Sequence, residues 1–285
     1  MRVIQMYKMP EYTQYNNEKN IALLDNSAVA FLEQLKQHGI ASENLLSPYD
    51  VILVPDWVLE EVCDSPYRER FLKEMVDDGY PVYRISESNY VDFTGGEDIN
   101  LFKIVQAAVS QVGVLRSYLR KNVEKADMLD MEDSAVWLPL MHQNWPISGG
   151  STSSGRTKKK NAGEISLTIL AEVFSWYYPI ITSLTVLTQD SDAYTFVHKA
   201  QEELVGLFPD KHPITVTYKS NDFVLCDLFR SGQIQLSDVS ALRRYARKVT
   251  YTQQRPDKST ALITERLDNS AFERLIQDMT ANIIF

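Results

Sequence analysis

Ile21-Ala22-Leu23-Leu24-Asp25-Asn26-Ser27 is an apolar run of strand length that ends in a carboxylate and a helix-capping pair. Ile21–Leu24 reads as a buried strand, and Asn26 or Ser27 as the cap of a helix over 28–37 that Gly39 closes. A second segment repeats the pattern much later in the chain: Leu184-Thr185-Val186-Leu187-Thr188-Gln189-Asp190-Ser191-Asp192, followed by a helix over 193–207. In open α/β sheets, ligands bind beyond the carboxyl ends of the strands, so an aspartate at that place is a candidate metal or catalytic group.

Working outward, Val51–Val54 is a short apolar run stopped by Pro55, with a helix from Asp56 holding Val58, Leu59, Glu60, Glu61 and Val62. Arg68–Asp77 continues helically after Pro66, and 81–85 is a third strand. This β-α-β-α-β order predicts an α/β fold with a parallel central sheet flanked by helices. The later parts of that sheet are a helix over 165–176, strands over 184–187 and 214–218, and a helix over 220–231 with Gly232 near its C-terminus.

Two regions exceed such a core. From Ile99 to Met141 apolar residues recur at helical spacing (Ile104, Ala107, Ala108, Val112, Leu115, Leu119), which predicts a mostly helical insertion at about 86–160. Its end, Ser148–Asn161, is Gly/Ser-rich and then basic and reads as a mobile loop. Residues 235–285 read as a C-terminal helical extension, with a basic amphipathic helix over 239–249 that would align Arg243, Arg244, Arg247 and Lys248, and a terminal helix from Asn269. The catalytic domain is accordingly placed at 1–234.

Composition narrows the class. The chain has 285 residues, 44% of them hydrophobic, enough for a sizeable core. Its formal charge of −9 counts against a purely electrostatic nucleic-acid module, but less against an enzyme whose own carboxylates are offset by bound cations. The first twenty residues are polar and Tyr-rich, without the pattern of a secretory signal, and no apolar run has the length of a membrane span. Cys63 and Cys226 stand far apart, outside any zinc-like cluster, which suits two thiols in a reducing, cytoplasmic setting. The four histidines lack metal-ligand spacing, and Trp137 and Trp145 read as packing residues.

Asp25, Glu61, Glu164 and Asp190 each fall at a strand end or in the first turns of a helix. Brought to one sheet edge, four carboxylates need a counter-charge. A hard divalent cation supplies it, and Mg²⁺ keeps several waters while taking one or two carboxylates plus substrate phosphate. Each has a simpler explanation as well. Asp25 is a good N-cap, Glu61 a solvated helix residue, and Glu164 favourable at a helix N-terminus.

These segments together resemble the PIN-domain family of metal-dependent nucleases. The stretch 21–27 is similar to the family's opening strand with Asp-x-Ser/Thr, and 54–62 to its strand-Pro-helix segment, in a register that favours Glu61 over Glu60. Asn161-Ala162-Gly163-Glu164 resembles the Gly-Glu helix start of one branch, 186–193 the late strand ending in Thr-x-Asp, and 216–228 the last strand and helix. The resemblance implies a Mg²⁺ or Mn²⁺ site built from Asp25, Glu61, Glu164 and Asp190, with Asp192 as a further metal-site residue. It implies endonuclease activity, mostly on RNA, and some relatives are toxins restrained by a partner protein. Ser27, which could hold Asp25 or a water, and the basic run Arg156, Lys158, Lys159 and Lys160 are the candidate substrate contacts; single-stranded RNA is the expected partner, with a protein inhibitor or a second copy of the chain as further ones. The competing readings are a catalytically silent PIN-like module that binds RNA or protein, and a metal-dependent phosphatase. The first strand lacks the Asp-x-Asp pair of a phosphoaspartate route.

Overall fold

The computed structural model describes residues 9–127, 130–151, 155–255 and 257–285, with the backbone alone for Glu43, Asn44, Ser191 and Asp192. Its centre is a five-stranded, all-parallel sheet of β1 (Asn20–Leu24), β2 (Val51–Pro55), β3 (Val82–Ile85), β6 (Ser183–Leu187) and β7 (Val216–Lys219), in the order β3-β2-β1-β6-β7. β1 sits in the middle, and Ile21, Ala22, Leu23 and Leu24 are fully buried, which is why the segment reads as an unbroken apolar run rather than an alternating one. The chain winds from β1 outward through β2 to β3, then returns to the other side of β1 for β6 and β7. The order therefore reverses between β1 and β6, where Leu24 pairs with Leu187. That reversal is the topological switch point at which α/β sheets open a crevice.

Helices α1 (Asn26–Gln37), α2 (Asp56–Val62) and α3 (Pro66–Asp77) follow the first two strands, and α8 (Ser191–Leu207) and α9 (Asn221–Arg230) follow β6 and β7. The insertion is helical as expected: α4 (Asp98–Ala108), α5 (Gly113–Asn122) and α6 (Ser134–Gln143). It leads into α7 (Ala162–Tyr177), whose residues are buried all round because it packs against α2, α4 and α8 at once. Trp137 is buried edge-to-face on Phe102, a packing role, and Trp145 lies edge-to-face on Trp57.

Two expectations are overturned. The Gly/Ser-rich segment is not a plain mobile loop: Ser148–Ser151 (β4) and Thr157–Lys159 (β5) pair as an antiparallel hairpin, with Thr152–Ser154 outside the described residues. The C-terminal extension is not all helical either. After α10 (Leu236–Leu242) come β8 (Arg247–Gln254), β9 (Thr260–Leu267), α11 (Asn269–Gln277) and β10 (Ala281–Ile283), and the strands form an antiparallel sheet β10-β8-β9. Along β8, Val249 and Tyr251 are buried while their neighbours are more exposed. This two-residue alternation of β-branched and aromatic side chains outweighs the helical spacing of the basic residues.

The basic quartet is accordingly split between the loop after α10 and β8. Arg243 is fully buried and, with Arg247, clamps the buried Asp222 at 3.1 Å and 2.6 Å. The Arg243 guanidinium also lies 4.5 Å from the centre of the Phe272 ring. Two of the four basic residues therefore fasten the C-terminal sheet to α9 rather than face a partner.

Candidate functional site

Asp25 is the first residue past β1 and caps α1, its Oδ1 accepting from the Asn26 amide at 2.7 Å. Its Oδ2 accepts from the Ser27 hydroxyl at 2.6 Å and, across the switch point, from the Thr188 hydroxyl at 2.9 Å. The same Thr188 Oγ1 accepts from the Asp190 amide at 3.0 Å, so one hydroxyl joins the two aspartate-bearing strand ends. The Ser27 hydroxyl accepts from the Gln189 amide at 2.9 Å. Ser27 thus ties the α1 cap to the β6–α8 turn and holds Asp25, with its hydroxyl engaged on both sides.

Glu61 approaches from α2. Asn26 Nδ2 reaches its Oε2 at 3.4 Å, and the Asn26 amide oxygen accepts from Arg68 on α3. Gly163, in the first turn of α7, faces Glu61 so closely that a Cβ there would stand 3.2 Å from Glu61 Oε1. The absence of a side chain at Gly163 lets α7 press against α2 and sets Glu164 beside Glu61. α2 is itself anchored one turn earlier, where the buried Glu87 accepts from the Trp57 amide at 2.9 Å and from Ser166 Oγ at 2.6 Å.

Electrostatics show that the four carboxyls share one neighbourhood. The Glu164 carboxyl is pushed up to about 8, first by burial and then by the negative charges of Asp25, Glu61 and Asp190. Glu61 is pushed up to about 7 by burial and by Asp25, with Lys158 and Arg68 acting in the opposite sense. The sequence places Asp25, Glu61, Glu164 and Asp190 as candidates, and the fold gathers all four at the carboxyl edge of the sheet. The side chain of Asp192 lies outside those described.

Among the described residues, no three Asp, Glu, His or Cys side chains close into a ready-made metal cage. The donor set still fits a hard, partly hydrated cation. It is all oxygen, it comes from four separate chain segments, and Asp25, Glu61 and Asp190 all act on Glu164 in the sense that resists its ionisation. Mg²⁺ completes its shell with water and does not need a full protein cage.

The basic run divides in two. Arg156 is bound to α2 by Glu60 Oε2 at 3.1 Å, the Glu60 carbonyl at 2.8 Å and Asp64 at 3.0 Å. Lys159 lies 3.6 Å from Glu60 and donates to the His142 ring at 3.0 Å. That ring is stacked on Trp57 at 4.4 Å, and burial together with Lys159 and Arg156 pushes it down to about 3, so it accepts as a neutral imidazole. Lys158 and Lys160 are exposed, and Lys158 is the hairpin cation that acts on Glu61. Arg156 and Lys159 therefore pin the hairpin, and Lys158 overhangs the acidic edge. Sequence reading missed Asn26, Arg68, Thr188 and Gly163 as members of this site; Asn26 and Gly163 adjoin Asp25 and Glu164 and Thr188 lies two residues before Asp190, but Arg68 comes from the next helix, α3.

No family model matches this chain, and neither does any curated protein or solved structure. No described helix is long and apolar enough to cross a membrane.

Proposed function

We propose that this chain is a metal-dependent endonuclease that hydrolyses single-stranded RNA, as its resemblance to PIN-domain nucleases implies. One observation carries the reading: four carboxyls from four separate segments lie near one another at the switch point of a parallel sheet, and burial, with the charges of the other three added to it, raises the Glu164 carboxyl to about 8. Burying mutually repelling carboxyls is costly unless a ligand makes use of them, and sites with displaced carboxyl pKa values cluster at catalytic centres.

Asp25, Glu61, Glu164 and Asp190 would hold a Mg²⁺ or Mn²⁺ ion. Such an ion supplies electrophilic stabilisation of a phosphoryl oxygen and makes hydroxide accessible near neutral pH. The residues do the rest. The Thr188 and Ser27 hydroxyls fix the Asp25 carboxylate in one orientation. Glu61 and Glu164, raised to about 7 and about 8 in the metal-free chain, would give up their protons as the ion binds. Lys158 from the hairpin and Arg68 from α3 flank Glu61 and offer positive charge to the phosphates on either side of the scissile bond. Water attacks phosphorus, the P–O bond to one ribose oxygen breaks, and that oxygen leaves with a proton.

The test is incubation with labelled single-stranded RNA, single-stranded DNA and a generic phosphate ester, with Mn²⁺ or with chelator. The reading expects chelator-sensitive RNA cleavage that Asp25→Asn and Asp190→Asn abolish while the fold is kept. RNA binding without cleavage would instead identify a silent binding module, and turnover of the ester alone a phosphatase.

A further inference from the structure

Between α8 and β7, the edge strand opposite β3, lies a cavity of about 210 Å³. A single buried water needs only about 10–15 Å³ of such space, so the cavity is far larger than one trapped water requires. It is lined by Tyr194, His198 and Gln201 from α8, and by Pro213 and Tyr218 from the approach to β7 and the strand itself. Tyr194 is 53% exposed and the His198 side chain 52%. Their rings lie 5.8 Å apart and nearly parallel at 7°, while Tyr218 meets Tyr194 edge-on at 5.5 Å and 80°. The buried Tyr218 hydroxyl finds no hydrogen-bond partner among the described residues.

Two exposed flat rings, the oxygen of an amide whose nitrogen already donates to Ser175 Oγ at 3.4 Å and to Glu172, and an unanswered hydroxyl are chemistry suited to an unstacked heterocycle. Single-stranded RNA is read in this way, by bases stacking on Tyr or His and hydrogen-bonding along their edges. Position agrees. Tyr194 stands one helical turn beyond Asp190, a rise of about 6 Å. A strand whose phosphate lies at the acidic edge thus has a neighbouring base within reach of the cavity. We infer that the α8–β7 cavity is a base-binding subsite, which seats one nucleobase of single-stranded RNA adjacent to the cleaved bond. The inference rests on the nuclease reading for where the backbone runs, but base binding can be measured without cleavage.

The experiment uses the full chain in chelator with a short single-stranded RNA carrying 2-aminopurine at each position in turn. The expected result is fluorescence quenching at one position. Tyr194→Ala abolishes that quenching and weakens binding about tenfold, Tyr194→Phe keeps both, and Gln201→Ala changes which base is preferred at that position. Quenching and affinity unchanged in Tyr194→Ala and Gln201→Ala overturn the subsite, as does a wild-type chain that binds no RNA. Asp25→Asn, run alongside, separates the two ideas: it should keep the quenching and lose cleavage in Mn²⁺. Cleavage intact in Asp25→Asn defeats the nuclease reading while the quenching still judges the cavity.

Discussion

Asp222 and Glu164 stand in the first turns of α9 and α7, where a helix N-terminus favours negative charge. Their surroundings are opposite. Asp222, fully buried, has guanidinium groups of Arg243 and Arg247 at 3.1 Å and 2.6 Å. On Glu164 the leading charge effects, after burial, are instead the negative charges of Asp25, Glu61 and Asp190. A carboxylate that only supports the fold brings its counter-charge from the chain itself. One that waits for a ligand leaves that place open. On the proposed reading, this contrast separates a structural acid from a ligand-binding one better than burial does, since both are shielded from water.

Breaking the structural pair has the largest expected effect. Asp222→Ala leaves two arginines, one of them fully buried, without their anion, and should cost about 3–5 kcal/mol of stability. Urea unfolding measures it. A loss below about 1 kcal/mol would mean that the C-terminal sheet does not depend on this clamp. Glu164→Gln should do the reverse: above about pH 8, where Glu164 is ionised, it removes repulsion from Asp25, Glu61 and Asp190, so the metal-free chain there melts at or above the wild-type temperature. RNA cleavage in Mn²⁺ falls on the order of 10²-fold or more. A Glu164→Gln variant that is both destabilised and fully active reverses the assignment.

The pH dependence sharpens the same comparison. Glu164 has an ordinary carboxyl value of 4.5 when unfolded and about 8 in the fold, so between those values the folded chain holds a proton that the unfolded chain has lost. Stability contributed by this group therefore falls as pH rises from about 4.5 to about 8 and stays low above it. Glu61, at about 7, acts in the same direction. Burial raises Glu87 and Glu172 to about 8 as well, but Trp57 and Ser166 hold the first and Trp176 the second, and the one acid acting on Glu87, Asp56, is bonded to Arg84. Mn²⁺ should thus raise the melting temperature at pH 8 by a few degrees and do so far less at pH 5, where Glu61 and Glu164 hold their protons. Glu164→Gln should shrink that gain, and Glu87→Gln should not. Equal gains in both variants would place the ion elsewhere.

Sequence alone made the parallel sheet legible because Ile21–Leu24, Val51–Val54 and Leu184–Leu187 are buried on both faces, and such strands show as unbroken apolar runs. The four acidic positions were legible for a related reason: strand ends are easy to place, and the switch point does the gathering. Partners that depend on three-dimensional contact were not. Nothing in the spacing of Asn26, Arg68 and Gly163 announces that they meet Glu61, and Asp222 reads as an ordinary helix-start residue until Arg243 and Arg247 fold back on it. The C-terminal sheet was missed because Arg243, Arg244, Arg247 and Lys248 mimic a helical face, while the true signal, Val249 and Tyr251 alternating with Lys248, Thr250 and Thr252, is only a few residues long.

The smallest expected effect separates two neighbours on the hairpin. Arg156 is 37% exposed and bonded to Glu60 and Asp64, so Arg156→Ala should cost about 1 kcal/mol or less. Amide exchange in the described part of 148–160 should quicken, because the hairpin then leans on Lys159 and on the Trp145 bond to the Lys160 carbonyl at 2.9 Å. Lys158→Ala removes an exposed charge and should leave stability and exchange unchanged. If the hairpin exists to hold Lys158 over the acidic edge, both variants weaken RNA binding severalfold and flatten its salt dependence, since each removes about one phosphate contact. An Arg156→Ala chain with fast exchange and undiminished RNA binding would show that the hairpin is packing alone, and would leave Arg68 as the cation that meets the phosphate.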